Sequence, residues 1–177
     1  MGPPGAGMSR RPLLVIDGYN VIGAEPGYRS ADDDLEEARA RLVADAAVFA
    51  QDEWRCTVVF DGGGNPDSDG VPHHVSGVAI VFSAYGRTAD DVIEALAARS
   101  RGRGEPMTVV TSDAATQSTV FGGPVMRMSA REFAASVARG ASAWREHTPT
   151  SGRRGAVETR VSQDVRRRLD RMARGGT

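Results

Sequence analysis

Three short apolar runs, each stopped by an aspartate, constrain what this chain can fold into. Leu13-Leu14-Val15-Ile16 ends at Asp17-Gly18, Thr57-Val58-Val59-Phe60 ends at Asp61-Gly62, and Met107-Thr108-Val109-Val110-Thr111-Ser112 ends at Asp113. Short runs rich in β-branched residues and closed by turn chemistry read as buried strands. In an open α/β sheet, functional side chains lie just past the carboxyl ends of the strands. Three such ends bring three carboxylates to one rim, and the rest of the chain reads as the scaffold for that rim.

Between these runs the pattern alternates. Val21 to Ser30 reads as a loop, punctuated by Gly23, Pro26 and Gly27. Residues 31–51 read as a helix, with Leu35, Ala38, Leu42, Ala46 and Phe49 at helical spacing. Residues 61–77 read as a long polar loop that carries His73 and His74, which read as exposed loop histidines rather than zinc ligands. Residues 78–82 read as a strand, 89–99 as a helix, 99–106 as a Gly/Arg turn and 125–128 as a last strand. Asp113 is expected to open a short helix. Ser129-Ala-Arg-Glu132 is a capping box that opens another, with Phe133, Ala134 and Val137 inward. Strands alternating with helices predict an α/β fold: a mostly parallel central sheet with helices on both faces. The expected division is a disordered start at 1–10, a domain at 11–139, a linker at 140–156 and a basic C-terminal helix and tail at 157–177.

Composition narrows the chemistry. None of the 177 residues is Lys; all 22 basic residues are Arg, which excludes a Walker A loop and Schiff-base catalysis. The single Cys56 excludes an internal disulfide and reads as a core thiol. No run reaches transmembrane length, and the first residues lack the apolar stretch of a signal peptide, so a cytoplasmic location is expected. Charge is uneven. Residues 139–177 carry ten Arg against four acids, a net of +6, which leaves −7 for the remainder of a chain with net charge −1. A basic tail on an acidic body suits a polyanion such as RNA, and Arg166 and Arg167 lie on the polar face of the tail helix. The competing reading docks Val161, Val165, Leu169 and Met172 on the core, with Arg as solvated surface.

A fourth acidic position is Asp90-Asp91. Thr88-Ala89-Asp90-Asp91 fits a capping box, which gives Asp91 a structural task and sets Asp90 on another face of the first turn. Each aspartate alone has a structural explanation as a turn or cap. Carboxylates that meet at one rim repel each other unless a cation neutralises them. Mg²⁺ and Mn²⁺ take oxygen ligands, activate water and stabilise charge on a phosphate in flight. Arg87, just before the acidic helix, reads first as a solvated surface arginine and second as a phosphate contact. Two other acidic or glycine-rich signatures fail: there is no Asp-x-Asp after the first strand, and Gly62-Gly63-Gly64 runs into Asn-Pro instead of a helix.

These residues resemble a family. Val15-Ile16-Asp17-Gly18-Tyr19-Asn20-Val21-Ile22-Gly23 is similar to the opening of NYN domains, which are PIN-like nucleases, and within them to the YacP-like branch of ribosome-associated endoribonucleases. Phe60-Asp61, Thr88-Ala89-Asp90-Asp91, Thr111-Ser112-Asp113, Gln117, Phe121-Gly122 and Arg127-Met128-Ser129-Ala130-Arg131-Glu132 follow in the same order. The resemblance implies a PIN-like three-layer fold and metal-dependent cleavage of single-stranded RNA, with mRNA on the ribosome as a candidate substrate. It implies that Asp17, Asp90 and Asp113 hold Mg²⁺ or Mn²⁺ and that Asn20 is their polar partner. Asp61 is a looser match. Asp91 stands where the branch has Glu, one methylene longer. Arg87, Thr88 and Gln117 are the candidate RNA contacts of the domain, joined by Arg166 and Arg167 of the tail. The alternative function is an RNA- or ribosome-binding module without turnover.

Overall fold

In the computed structural model, residues 11–29, 34–51, 53–113, 121–147 and 166–173 are described, with backbone alone for 141–147. The strands are β1 Leu13–Asp17, β2 Arg55–Phe60, β3 His73–Val75, β4 Val78–Phe82, β5 Met107–Val110 and β6 Val125–Met128. The helices are α1 Gly18–Ala24, α2 Leu35–Ala50, α3 Ala89–Arg103, α4 Ala130–His147 and α5 at residues 166–173. One sheet of order β3-β4-β2-β1-β5-β6 contains all six strands, parallel except for β3.

Strand alternation builds the layers. Leu14, Ile16, Val58, Phe60, Ile80 and Val110 face one side and pack with α1, α2, α4 and α5. Val15, Val59, Val109 and Met107 face the other and pack with Ile93 and Ala97 of α3. Both faces of β1 are therefore covered, which is why its sequence is a continuous apolar run. Cys56 is a buried free thiol, pushed up to about 12 by burial.

Several sequence expectations change. The segment read as a loop from Val21 contains most of α1 and then a 3-10 turn at Pro26–Tyr28, because Asp17 caps a helix directly at the strand end. His73 and His74 are not loop residues: β3 pairs antiparallel with β4 through a turn at Ser76 and Gly77, whose φ values are 52° and 81°. Helix α3 continues through the Gly/Arg turn to Arg103 and stops at Gly104, which takes the left-handed conformation that favours glycine. Helix α4 crosses position 140, where composition places a linker, and runs to His147. The expected short helix after Asp113, the disordered start at 1–10 and the remaining linker at 148–156 lie outside the described residues. No helix among the described residues is long and apolar enough to cross a membrane.

A candidate acidic rim at the switch point of the sheet

The chain builds outward from β1 through β2 to β4, then returns to the other side of β1 for β5 and β6. The reversal leaves a crevice at the carboxyl ends of β1 and β5, where ligands bind in open α/β sheets. Asp17 closes β1 and Asp113 follows β5, so the crevice is flanked by two of the sequence-derived carboxylates. Asn20 bridges it. Its side-chain carbonyl accepts the Ser112 backbone N–H at 2.7 Å, and its own backbone N–H donates to Asp17 Oδ1 at 3.4 Å. Ser112 Oγ in turn accepts the Ala130 N–H at 3.2 Å, which ties the same turn to the start of α4. Asn20 thus positions the backbone that carries Asp113.

Asp17 is 8% exposed. Burial pushes its carboxyl from 3.8 to about 6; the Asn20 N–H opposes this, and the charges of Asp90, Asp113 and Asp61 add to it. All four aspartates therefore share one electrostatic site. Among the described residues, no three His, Cys, Asp or Glu side chains are drawn together as a ready-made metal cage. The donors are hard oxygens that repel one another and stand apart. Their oxygen chemistry is the kind that Mg²⁺ and Mn²⁺ take, but their spacing does not by itself form a metal cage among the described residues.

Neighbouring loops place Asp61 and Asp90. Gly62 N–H donates to Ser83 Oγ at 2.9 Å, Ser83 Oγ donates to the Arg87 carbonyl at 2.9 Å, and Gly86 N–H donates to the Gly63 carbonyl at 3.1 Å. A Cβ at Gly63 would stand 2.3 Å from the Arg87 carbonyl oxygen and one at Gly62 would stand 2.7 Å from the Ser83 carbonyl oxygen, so these two glycines serve close approach of two loops. Asp61 Oδ1 accepts the Gly63 N–H at 2.9 Å. Thr88 and Asp91 form the capping box of α3: Thr88 Oγ1 accepts the Asp91 N–H, and Asp91 Oδ2 accepts the Thr88 N–H at 2.8 Å. Those bonds hold the Asp91 carboxyl below the usual range, with Arg87 Nε 4.0 Å away. Asp90 is thereby the carboxylate of the pair that acts on Asp17. Arg87 is exposed at this edge, and Gln117 lies outside the described residues.

The tail residues sit elsewhere. Arg166 pairs with Glu37 of α2 at 3.1 Å, Arg167 is exposed, and Leu169 is fully buried. One arginine escaped sequence reasoning, and another, Arg127, entered it only as part of a family motif with no role assigned. Arg39 is 6% exposed inside α2, donates to the Tyr19 hydroxyl at 2.9 Å and lies over the Phe82 ring, with its Nε unsatisfied. Arg127 donates through Nε to the Thr111 carbonyl at 3.2 Å, beside the rim. Its position on a strand next to Met128 gave no helical or loop signal for such a contact.

A buried aspartate beside further carboxylates, set at the switch point of a PIN-like sheet, places this chain among nuclease-type domains. More narrowly, it belongs to the YacP-like NYN domain family, whose pattern it matches over residues 14–174, α5 included. It is 33% identical over 132 residues to YacP of Bacillus subtilis (strain 168), covering 68% of this chain and 72% of that protein. A crystal structure of Rae1 (YacP) from Bacillus subtilis superposes with a TM-score of 0.63 at 29% identity, covering 92% of this chain and 95% of that one. A second crystal structure of Rae1, a mutant with leucine in place of a tryptophan, gives 0.61 at 29% identity, covering 90% and 98%.

Proposed function

We propose that this chain is a divalent-metal-dependent endoribonuclease that cleaves single-stranded RNA at the rim around Asp17. The observation that carries this reading is Asp17 itself: a nearly buried carboxyl, raised to about 6 by burial and by three neighbouring aspartates, at the crevice of the sheet. Structural turns do not need mutually repelling charges, whereas a cation site does. Asp17, Asp90 and Asp113 would hold Mg²⁺ or Mn²⁺, directly or through its bound waters. When bound, the ion supplies an activated water and neutralises charge on the phosphate. Asn20 keeps the Asp113 turn in place, and Arg87 offers a donor fork to an incoming phosphate. The wide spacing of the carboxylates favours one competing reading, an RNA- or ribosome-binding module without turnover.

The test is to incubate the purified chain with labelled RNA, naked or on translating ribosomes, with Mg²⁺, Mn²⁺ or EDTA. Cleavage in either metal and none in EDTA is expected. Absence of cleavage in both metals on both substrates leaves only the binding module. The Asp90-Asp91 pair sharpens the site assignment. Asp90→Asn is expected to remove cleavage with little change in melting temperature. Asp91→Asn weakens a helix cap, so it is expected to lower the melting temperature and to retain most cleavage. The reversed pattern would make Asp91 the ligand.

A further inference from the structure

An open groove of about 440 Å³ lies between β6 and α4, lined by Arg127, Arg131 and Arg139 together with Met128, Ala135 and Ser136. Two of these cations, Arg127 and Arg131, are conspicuous in a stretch of 138 residues with a net charge of −7, and Arg139 directly follows that stretch. The spacing explains the shape. Positions 131, 135 and 139 recur every four residues, so they share one face of α4. Ala135 lies between the two arginines, and its small side chain leaves the groove open. From Arg131 to Arg139 the helix advances about 12 Å at 1.5 Å per residue.

One lining residue ties the groove to the turn that carries Asp113. Arg127 Nε holds the Thr111 carbonyl at 3.2 Å, two residues before Asp113. The one carboxylate in the lining, Glu132, accepts the Ser129 N–H at 2.7 Å and the Ser129 hydroxyl at 2.6 Å as part of the helix cap and also feels the Arg127 charge, which leaves Arg131 and Arg139 as the groove's less opposed cations. Arg139 donates to Ser136 Oγ at 2.8 Å, and Arg131 is exposed. Arg166, by contrast, is already paired with Glu37, and α5 is held down by Leu169.

We infer that this Arg127–Arg131–Arg139 groove is the track on which a single RNA strand lies as it enters the acidic rim. The inference rests on the RNA-cleaving reading above and names the surface by which that substrate is held. The charge match is direct. The rim repels a polyanion, so a strand reaching it needs cations on its approach, and guanidinium groups donate parallel hydrogen bonds to phosphate. Half-buried Met128 at the head of the groove adds an apolar contact for a base.

The test uses the full chain, a fluorescein-labelled single-stranded oligoribonucleotide and EDTA, so that binding is read without cleavage. Arg131→Gln with Arg139→Gln is expected to weaken binding at least about fivefold at 0.1 M salt. It should also make the log–log salt slope shallower by about 1.4, two contacts at roughly 0.7 each. Arg131→Gln alone should give about half that change in slope. Arg166→Gln with Arg167→Gln should match wild type. If the groove double variant binds RNA with unchanged affinity and slope, the inference is overturned, whether or not wild type cleaves RNA in Mg²⁺ or Mn²⁺. If binding depends on the groove but no metal elicits cleavage, the track stands and the nuclease reading falls. A polyglutamate that displaces RNA equally well, with the same dependence on Arg131 and Arg139, would reassign the groove to an acidic protein.

Discussion

Asp17→Asn is expected to lower RNA cleavage by roughly 10³-fold or more, about 4 kcal/mol of transition-state stabilisation, while making the metal-stripped protein more stable at pH 8. The second effect follows from linkage. Folded Asp17 titrates near 6, against 3.8 for the unconstrained carboxyl. Between those values the folded chain keeps a proton that the unfolded chain has lost. Wild-type stability is therefore highest below the unfolded value and declines as pH rises through about 6. A difference of about two pH units corresponds to at most about 3 kcal/mol. Asn never ionises, keeps the shape of Asp and still offers an oxygen to the Asn20 N–H, so the α1 cap survives. Calorimetry in EDTA should show the two proteins melting nearly alike near pH 3.5. The variant should pull ahead between about pH 4 and 7 and stay ahead above. Added Mg²⁺ or Mn²⁺ should raise the wild-type midpoint and leave the variant unchanged. A variant that is less stable than wild type at pH 8 would make Asp17 a structural turn residue.

That rim was legible because its parts are local. A strand covered on both faces must be apolar throughout, so β1, β2, β4 and β5 announce themselves, and an aspartate at or just past the ends of β1, β2 and β5 marks the rim side. The two capping boxes were equally local, each a hydroxyl and a carboxylate three residues apart. Features set by tertiary context were not. β3 is a three-residue edge strand with two histidines, too short for periodicity. The signal that marks it is Ser76-Gly77, a two-residue hairpin turn between His-His-Val and Val-Ala-Ile. Gly102 and Gly140 read as breaks, yet α3 and α4 run through them, since packing outweighs the roughly 1 kcal/mol cost of a helical glycine. Arg39 falls on the buried face of α2, where its residue type argues for solvent. The family resemblance marked Asn20 as a polar partner of the site, but its pairing with Ser112, 92 residues away, left no local signal. The groove escaped because its cations come from two elements and are diluted by alanine and serine along α4.

The tail carries both features that its sequence offers, an apolar stripe and exposed arginines, and the apolar stripe is docked through Leu169 and Met172. Its arginines suggested a nucleic-acid arm, whereas Leu169 has no exposed surface and lies in the core beside α1, α2 and α4, with Met172 and Ala173 packed around it. The Asn65 side-chain amide donates to the Ala173 carbonyl at 2.7 Å, so α5 also braces the loop after β2 that carries Asp61. Leu169→Ala is therefore expected to cost about 2–5 kcal/mol through lost burial and a residual cavity. Against a total of about 5–15 kcal/mol for a domain, that is a large fraction. The urea midpoint should fall visibly with the slope nearly unchanged. Arg166→Gln with Arg167→Gln removes surface interactions, among them the half-exposed ion pair of Arg166 with Glu37; such a pair is worth about 0–1 kcal/mol, so the midpoint should move little. Deleting residues 166–177 should behave like Leu169→Ala, because it uncovers the apolar face of α2. The opposite result has a definite meaning. If Leu169→Ala melts like wild type while the Gln pair loses RNA affinity and salt dependence, α5 is an RNA-binding arm and its contact with the core is incidental.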